Sequence, residues 1–279
     1  MTNVGIVTGG GRGMGLECAR RLPEIVDVLL LVDLDEAGAA RAARALSETS
    51  PVTRIEPFAL DVTDRDGLAR LADRVAGLGT LRAVAHAAGI SPTMADWRRI
   101  FTVDLIGTAL LAEALRPLAT AGTATVCFAS MAPLLGGPAS DPAVRAILDE
   151  PLAEDFLDRI RDAVGPSIED TGLAYSCAKG GVHRFVSHEA VRLGPLGARI
   201  CSVSPGVIDT PQGRQEAASN PTLGRLTDAT PLARTGRAEE VAAAVAFLLS
   251  DQASFVNGID LLVDGGVHAA LRTHAASLH

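Results

Sequence analysis

Short, mostly apolar runs alternate with helix-like segments along this chain. Val4–Thr8, Val28–Val32, Arg54–Leu60, Leu81–Ala87, Thr123–Ala129, Arg199–Val203 and Ile259–Val263 read as strands. Gly13–Leu22, Glu36–Leu46, Arg65–Ala76, Trp97–Leu115, Tyr175–Val191 and Ala238–Leu249 read as helices between and after them. A strand that is apolar on both faces must be covered on both faces, which in alternation with helices means a parallel sheet sandwiched by helices. The expected fold is therefore α/β: one doubly wound parallel sheet of about seven strands in a single domain over residues 1–279. A chain of 279 residues is long enough to bury such a core.

Residues 131–174 interrupt the alternation. Asp141 before Pro142 is a helix start signal, an N-cap followed by a first-turn proline. Val144, Ile147, Leu148, Leu152, Phe156, Leu157, Ile160 and Val164 recur near helical spacing, and Pro151 must break the run into two short helices. The segment carries nine acids against three arginines. It reads either as a solvated helical insert or as a wall of a binding site.

Composition narrows the function classes. A net charge of −8 argues against a nucleic-acid partner. No apolar run is long enough for a membrane-spanning helix, and a strand starting by residue 3 leaves no room for a signal peptide. The four scattered cysteines, Cys18, Cys127, Cys177 and Cys201, suit reduced thiols in a cytoplasmic protein. The histidines show no metal-ligand spacing, so no metal is expected.

Thr8-Gly-Gly-Gly-Arg-Gly-Met-Gly15 lies between the first strand and the first helix. Glycines there permit a sharp turn and let phosphates approach the backbone at a helix N-terminus, where amides and dipole favour anions. This points to a Rossmann-type dinucleotide site with Gly9, Arg12, Gly13, Met14 and Gly15 at the pyrophosphate. Asp33 ends the second strand about 20 residues later, where a carboxylate accepts from ribose hydroxyls and repels a 2′-phosphate. That favours NAD over NADP, although Arg12 is a candidate partner for such a phosphate. Asp61 and Val62 follow the third strand and are candidates for the adenine.

Tyr175 is the only tyrosine, and among 25 basic side chains Lys179 is the only lysine. Positions i and i+4 share one helix face. An ammonium about 4 Å from the phenol, at an effective dielectric of about 20, favours the phenolate by up to roughly 4 kcal/mol. Since one pKa unit is about 1.4 kcal/mol, the expectation is a tyrosine tuned toward neutral pH as a general base.

Taken in order, these residues resemble the short-chain dehydrogenase/reductase superfamily along essentially the whole chain. Thr8–Gly15 fits its TGxxxGxG motif, Asp61-Val62 its adenine-binding DV, and Ala87-Ala88-Gly89 the AG ending its fourth strand. Ser130 falls where the family has its catalytic serine, and Tyr175 and Lys179 fit YxxxK. Pro205-Gly206-Val207 followed by Thr210 fits the segment that embraces the nicotinamide, and Val263-Asp-Gly-Gly266 the C-terminal VDGG. The long segment before Tyr175 is similar to that of the bacterial 3α-hydroxysteroid dehydrogenase/carbonyl reductase type. Two positions depart from the family. His86 replaces the first asparagine of its NNAG, and Asp104 replaces the asparagine of its catalytic tetrad.

The resemblance implies reversible oxidation of a secondary alcohol by NAD, on a steroid or another bulky alicyclic substrate. Ser130 would hold the substrate oxygen, Tyr175 would exchange the proton, and Lys179 would lower the tyrosine pKa. Thr210 would orient the carboxamide. Ala88, Gly89, Pro205, Gly206 and Val207 would line the cofactor. Asp104 would retain the backbone role of the asparagine while its charge disturbs the lysine. Residues Val207–Thr235 are expected to form a mobile loop over the substrate, with Met94, Trp97, Leu134 and Leu135 adding apolar surface. A homo-oligomer, dimer or tetramer, is also implied. The alternatives are an NADPH-dependent ketone or 3-oxoacyl reductase, and a catalytically silent NAD-binding protein.

Overall fold

The computed structural model describes residues 1–276. The seven expected strands form one parallel sheet: β1 (Asn3–Thr8), β2 (Val28–Asp33), β3 (Arg54–Ala59), β4 (Thr80–His86), β5 (Ala124–Phe128), β6 (Arg199–Pro205) and, last in the chain, β9 (Asp260–Val263), in the order β3-β2-β1-β4-β5-β6-β9. Two short strands, β7 (Ile208–Asp209) and β8 (Gly236–Arg237), pair separately. The helices are α1 (Gly13–Arg21), α2 (Glu36–Thr49), α3 (Arg65–Leu78), α4 (Trp97–Phe101), α5 (Gly107–Leu115), α6 (Pro142–Leu148), α7 (Phe156–Val164), α8 (Thr171–Leu193), α9 (Pro211–Ser219), α10 (Pro221–Asp228), α11 (Ala238–Leu249) and α12 (Val267–Ala276).

Successive strand residues point to opposite faces, and both faces are apolar. Val7, Leu29 and Leu31 pack with Leu22 of the first helical layer and with Val241 and Val245 of α11. Ile6, Leu30 and Val32 pack on the other face against Leu68 and Leu71 of α3 and Leu111 of α5. Beside that layer, α8 packs with α4 and the segment before Tyr175, through Val182, Phe101, Ile147, Phe156 and Ile160. Among the described residues no helix is long and apolar enough to cross a membrane.

Three local features differ from the sequence expectation. The helix expected over Trp97–Leu115 contains a π-helical segment, Thr102–Ile106, that joins α4 to α5 and carries Asp104. Such a widened turn is common at functional sites. The region expected to be a loop, Val207–Thr235, contains α9 and α10. Pro211 and Pro221 each occupy a first helical turn, where the missing N–H costs nothing, behind the capping side chains of Thr210 and Asn220. Trp97 is core rather than cleft: its ring meets Phe101 edge-on, and Phe101 in turn meets Phe156.

The segment between β5 and α8 folds into α6 and α7. Asp141 accepts from the Ala143 amide at 2.7 Å and starts α6. Asp149 makes a two-pronged ion pair with Arg184 of α8, both contacts 2.6 Å. Asp170 caps α8 through the Leu173 amide, so that helix begins one turn before Tyr175.

Candidate active site

Strand order reverses at the β1–β4 boundary, and parallel sheets bind ligands outside the carboxyl ends of strands at such a point. A cleft of about 590 Å³ opens there. It is lined by Gly9, Arg12, Gly13, Met14, Gly15, Asp33, Asp61, Val62, Ala88, Gly89, Ser130, Tyr175, Lys179, Pro205, Gly206, Val207 and Thr210. Of the catalytic and cofactor-binding candidates, Asp104 alone stands behind the lining; Trp97 and Leu134, expected as apolar surface, do not line it either.

The phosphate loop follows β1. Gly9 has φ +65° and Gly13 φ +58°, backbone that other residues rarely adopt. A Cβ on Gly9 would stand 2.9 Å from the Ala88 amide, and one on Gly15 would collide with the Gly9 carbonyl. The turn is thus closed against side chains, and the backbone at the N-terminus of α1 lines the cleft, which fits a pyrophosphate. Asp33 is built into the same turn: its Oδ2 accepts from Gly11 N at 2.8 Å and its Oδ1 from Asp35 N at 3.0 Å.

At the end where the sequence places the adenine, the structure adds Arg99, whose guanidinium donates to Asp61 Oδ2 at 2.8 Å. Thr63 donates to Asp61 Oδ1 through both its amide and its hydroxyl. Burial alone would raise the Asp61 carboxyl; the Thr63 bonds and Arg99 outweigh it and hold the group below the usual range. Nothing in the sequence links residues 61 and 99. Their meeting depends on the packing that brings α4 beside the segment that follows β3.

At the opposite end Ser130, Tyr175 and Lys179 converge. The Ser130 hydroxyl lies beside the Tyr175 phenol and favours its ionised form. Ser130 Oγ also accepts from Ala132 N at 3.1 Å. Lys179 Nζ donates to the Phe128 carbonyl at 2.9 Å and lies 3.6 Å from Asp104 Oδ1. The expected lowering of the tyrosine pKa is not what these protein groups produce. Burial first, and the Asp104 charge second, push the Tyr175 phenol above its ordinary value, outweighing the nearby Ser130 hydroxyl. The lysine ammonium lies 5.7 Å from the Tyr175 ring centroid, beside an opposing carboxylate.

Asp104 itself is buried. Its Oδ1 accepts from Ile90 N at 2.9 Å, and its Oδ2 has no protein partner. Burial pushes its carboxyl up, only partly countered by Lys179 and the Ile90 amide. A Cβ on Gly89 would stand 2.8 Å from Asp104 Oδ1, so glycine at this strand end gives the carboxylate its place.

His86, at the end of β4, ties this region together. Its Nδ1 is 2.7 Å from Thr8 Oγ1 and its Nε2 is 2.9 Å from Thr108 Oγ1. Thr108 donates to the Asp104 carbonyl at 2.8 Å, and the Ala88 amide donates to Thr8 Oγ1 at 3.1 Å. One donor order satisfies this chain: Nε2–H donates to Thr108, and Nδ1 accepts from Thr8. The ring must be neutral for this, and burial, with Lys179 behind it, depresses its pKa to about 3. His86 therefore bridges β1 to α5.

Thr210 Oγ1 accepts from Gly213 N at 2.9 Å and caps α9, leaving its O–H proton available to a ligand. The same helix brings Glu216 into the lining, a residue the sequence did not single out. Burial raises its carboxyl pKa, and its charge contributes to raising that of Tyr175. Met94 and Leu135 line the cleft, along with Ile90, Leu223 and Leu226.

Known proteins share this design. A family model described as enoyl-(acyl carrier protein) reductase matches residues 9–146 and 163–268. Cis-4-hydroxycyclohexanecarboxylate dehydrogenase of Sinomonas cyclohexanicum is 35% identical over 278 residues, 95% of this chain and 96% of that protein. Cyclopentanol dehydrogenase of Comamonas testosteroni is 29% identical over 95% of this chain and 96% of that protein. A crystal structure of a 3-oxoacyl-[acyl-carrier protein] reductase with bound NAD from Brucella melitensis superposes with a TM-score of 0.71 at 28% identity, covering 96% of this chain and 91% of that one. With the loop, the Ser130–Tyr175–Lys179 cluster and these matches together, the chain belongs to the short-chain dehydrogenase/reductase superfamily.

Proposed function

We propose that this protein is an NAD(H)-dependent oxidoreductase that interconverts an alicyclic secondary alcohol and its ketone. The observation that carries the reading is the convergence of Ser130 with Tyr175 and Lys179, which share one helix face, in a cleft whose other end is a glycine turn and Asp33. Bound NAD would supply the hydride acceptor for alcohol oxidation. Gly9–Gly15 would hold its pyrophosphate, Asp33 its adenosine ribose, and Asp61 and Val62 its adenine. Asp33 supports NAD over NADP, because a carboxylate at that place repels a 2′-phosphate.

The protein's own part is positional and protonic. Ser130 orients the substrate hydroxyl toward Tyr175. Tyr175 removes the hydroxyl proton during oxidation and returns it during reduction. Lys179 holds the end of β5 through the Phe128 carbonyl and presents its charge beside the phenol. Ile90, Met94, Leu135, Leu223 and Leu226 make an apolar wall suited to a saturated ring. The substrate names of the two dehydrogenase relatives, both rings bearing a secondary hydroxyl, support the same class.

The test is NADH formation across a panel of cyclic secondary alcohols, with NADP in parallel. NAD-linked turnover of ring alcohols is expected. Binding of NAD without turnover of any alcohol overturns the reading in favour of a silent nucleotide-binding protein.

A further inference from the structure

Asp61 and Arg99 both line the cleft, and each is fixed locally before the two meet. The Asp61 carbonyl accepts from Asp64 N at 2.9 Å, closing a tight turn. Asp61 Oδ1 accepts from the Thr63 amide at 2.9 Å and from the Thr63 hydroxyl at 2.7 Å. Arg99 sits in the first turn of α4, where its amide donates to the capping Asp96 at 2.9 Å. Its guanidinium donates to Asp61 Oδ2 at 2.8 Å. A carboxylate has about four acceptor sites, divided between its two oxygens. Thr63 fills those of Oδ1 and Arg99 takes one on Oδ2, so a single acceptor site is left, on Oδ2. Arg99 and Asp61 are 42% and 31% exposed, and an ion pair that open adds little stability. Its consequence is orientation. Bonded by Thr63 at one oxygen only, the carboxylate could pivot about that oxygen; Arg99 holds the other.

We propose that Arg99 is a positioning residue that makes the cleft selective for an aminopurine, by holding the one remaining acceptor of Asp61 for the exocyclic amine of the cofactor's adenine. This rests on the dinucleotide-binding part of the functional reading and not on turnover of any alcohol. An ionised carboxylate can only accept, so it bonds an amine and leaves a carbonyl in the same place without a partner. Hypoxanthine carries that carbonyl, and its nearest donor is the adjacent ring N–H. A carboxylate free to swing reaches the ring N–H, whereas one held at both oxygens does not. Discrimination between the two bases thus depends on Arg99 acting through Asp61.

The experiment titrates NAD and nicotinamide hypoxanthine dinucleotide, without substrate and by calorimetry, into the unaltered protein, Arg99→Met, Asp61→Asn and the double variant. Ratios of the two affinities within each protein cancel any general loss of binding. The unaltered protein should bind NAD at least about tenfold more tightly than the hypoxanthine dinucleotide, the size of one hydrogen bond to a charged group. In Arg99→Met the preference should fall to about twofold or less, mainly through weaker NAD binding. Asp61→Asn should abolish the preference, since its amide offers a donor to the carbonyl. The double variant should match Asp61→Asn, because Arg99 acts only through Asp61. A preference unchanged in Arg99→Met, one that survives Asp61→Asn, or a further change in the double variant overturns the proposal. Failure of the unaltered protein to bind either dinucleotide overturns the cofactor reading and this inference with it; NAD binding with a preference near unity overturns this inference alone.

Discussion

Asp104 Oδ1 lies 3.6 Å from Lys179 Nζ, and the two side chains are 0% and 5% exposed. The only lysine of the chain thus faces a carboxylate rather than an uncharged amide. Its charge is shared between that carboxylate, the Phe128 carbonyl and the Tyr175 ring.

Asp104→Asn should move the pH profile of alcohol oxidation toward acid. The Asp104 charge disfavours the phenolate, so removing it lowers the Tyr175 pKa, and the lysine ammonium then acts on the phenol unopposed. The rising limb of kcat/KM against pH should shift down by about one unit, corresponding to about 1.4 kcal/mol. A profile with an unmoved limb would show that Asp104 is already neutral during turnover.

Tyr175→Phe removes the proposed proton acceptor and leaves the glycine loop, Asp33 and Asp61 untouched. Turnover should fall by at least about 10²-fold, the lower range for loss of a general acid or base. NAD affinity, measured by titration calorimetry, should stay within a few-fold. Substantial residual turnover would require another base.

His86 makes stability depend on pH. Its pKa falls from 6.5 to about 3 on folding, so the unfolded chain binds the proton more readily across that window. Stability contributed by the neutral ring is fully present above about pH 6.5 and is lost as pH falls toward 3. Between pH 7 and pH 5 the loss is about 2 kcal/mol. His86→Asn should flatten that slope in urea unfolding measured at the two pH values. An equal slope in both proteins would mean that other groups set the acid sensitivity.

Asp33→Ser should relax cofactor choice. The carboxylate that would repel a 2′-phosphate disappears, while a short polar side chain remains near the Gly11 amide that Asp33 now holds at 2.8 Å. The ratio of kcat/KM for NAD over NADP should drop at least about tenfold, the effect of about 1.4 kcal/mol. An unchanged ratio would assign the choice to other residues of the loop, Arg12 first among them.

The strands, the glycine turn and the positions of Ser130, Tyr175 and Lys179 were legible because each is written in local pattern. Apolar runs mark buried strands, and a spacing of four marks one helix face. Local pattern misled where one residue type serves two ends. The segment Val207–Thr235 read as a loop, yet within it Pro211 and Pro221 each open a helix behind a capping Thr210 or Asn220. Trp97 read as pocket surface, but its ring is buried in the core, edge-on to Phe101.

By itself, then, the sequence determined the strand and helix alternation and the order of the cofactor and catalytic motifs. Hydrophobic periodicity and glycine stereochemistry act over a few residues, so both can be read along the chain. Tertiary structure decided the electrostatics. Lys179 meets Asp104, Arg99 meets Asp61, and His86 links Thr8 to Thr108 only because parallel crossovers bring distant strand ends and helices to one edge of the sheet. Burial at that edge fixes which charges act on Tyr175, and burial is a property of the packed molecule, not of any segment of it.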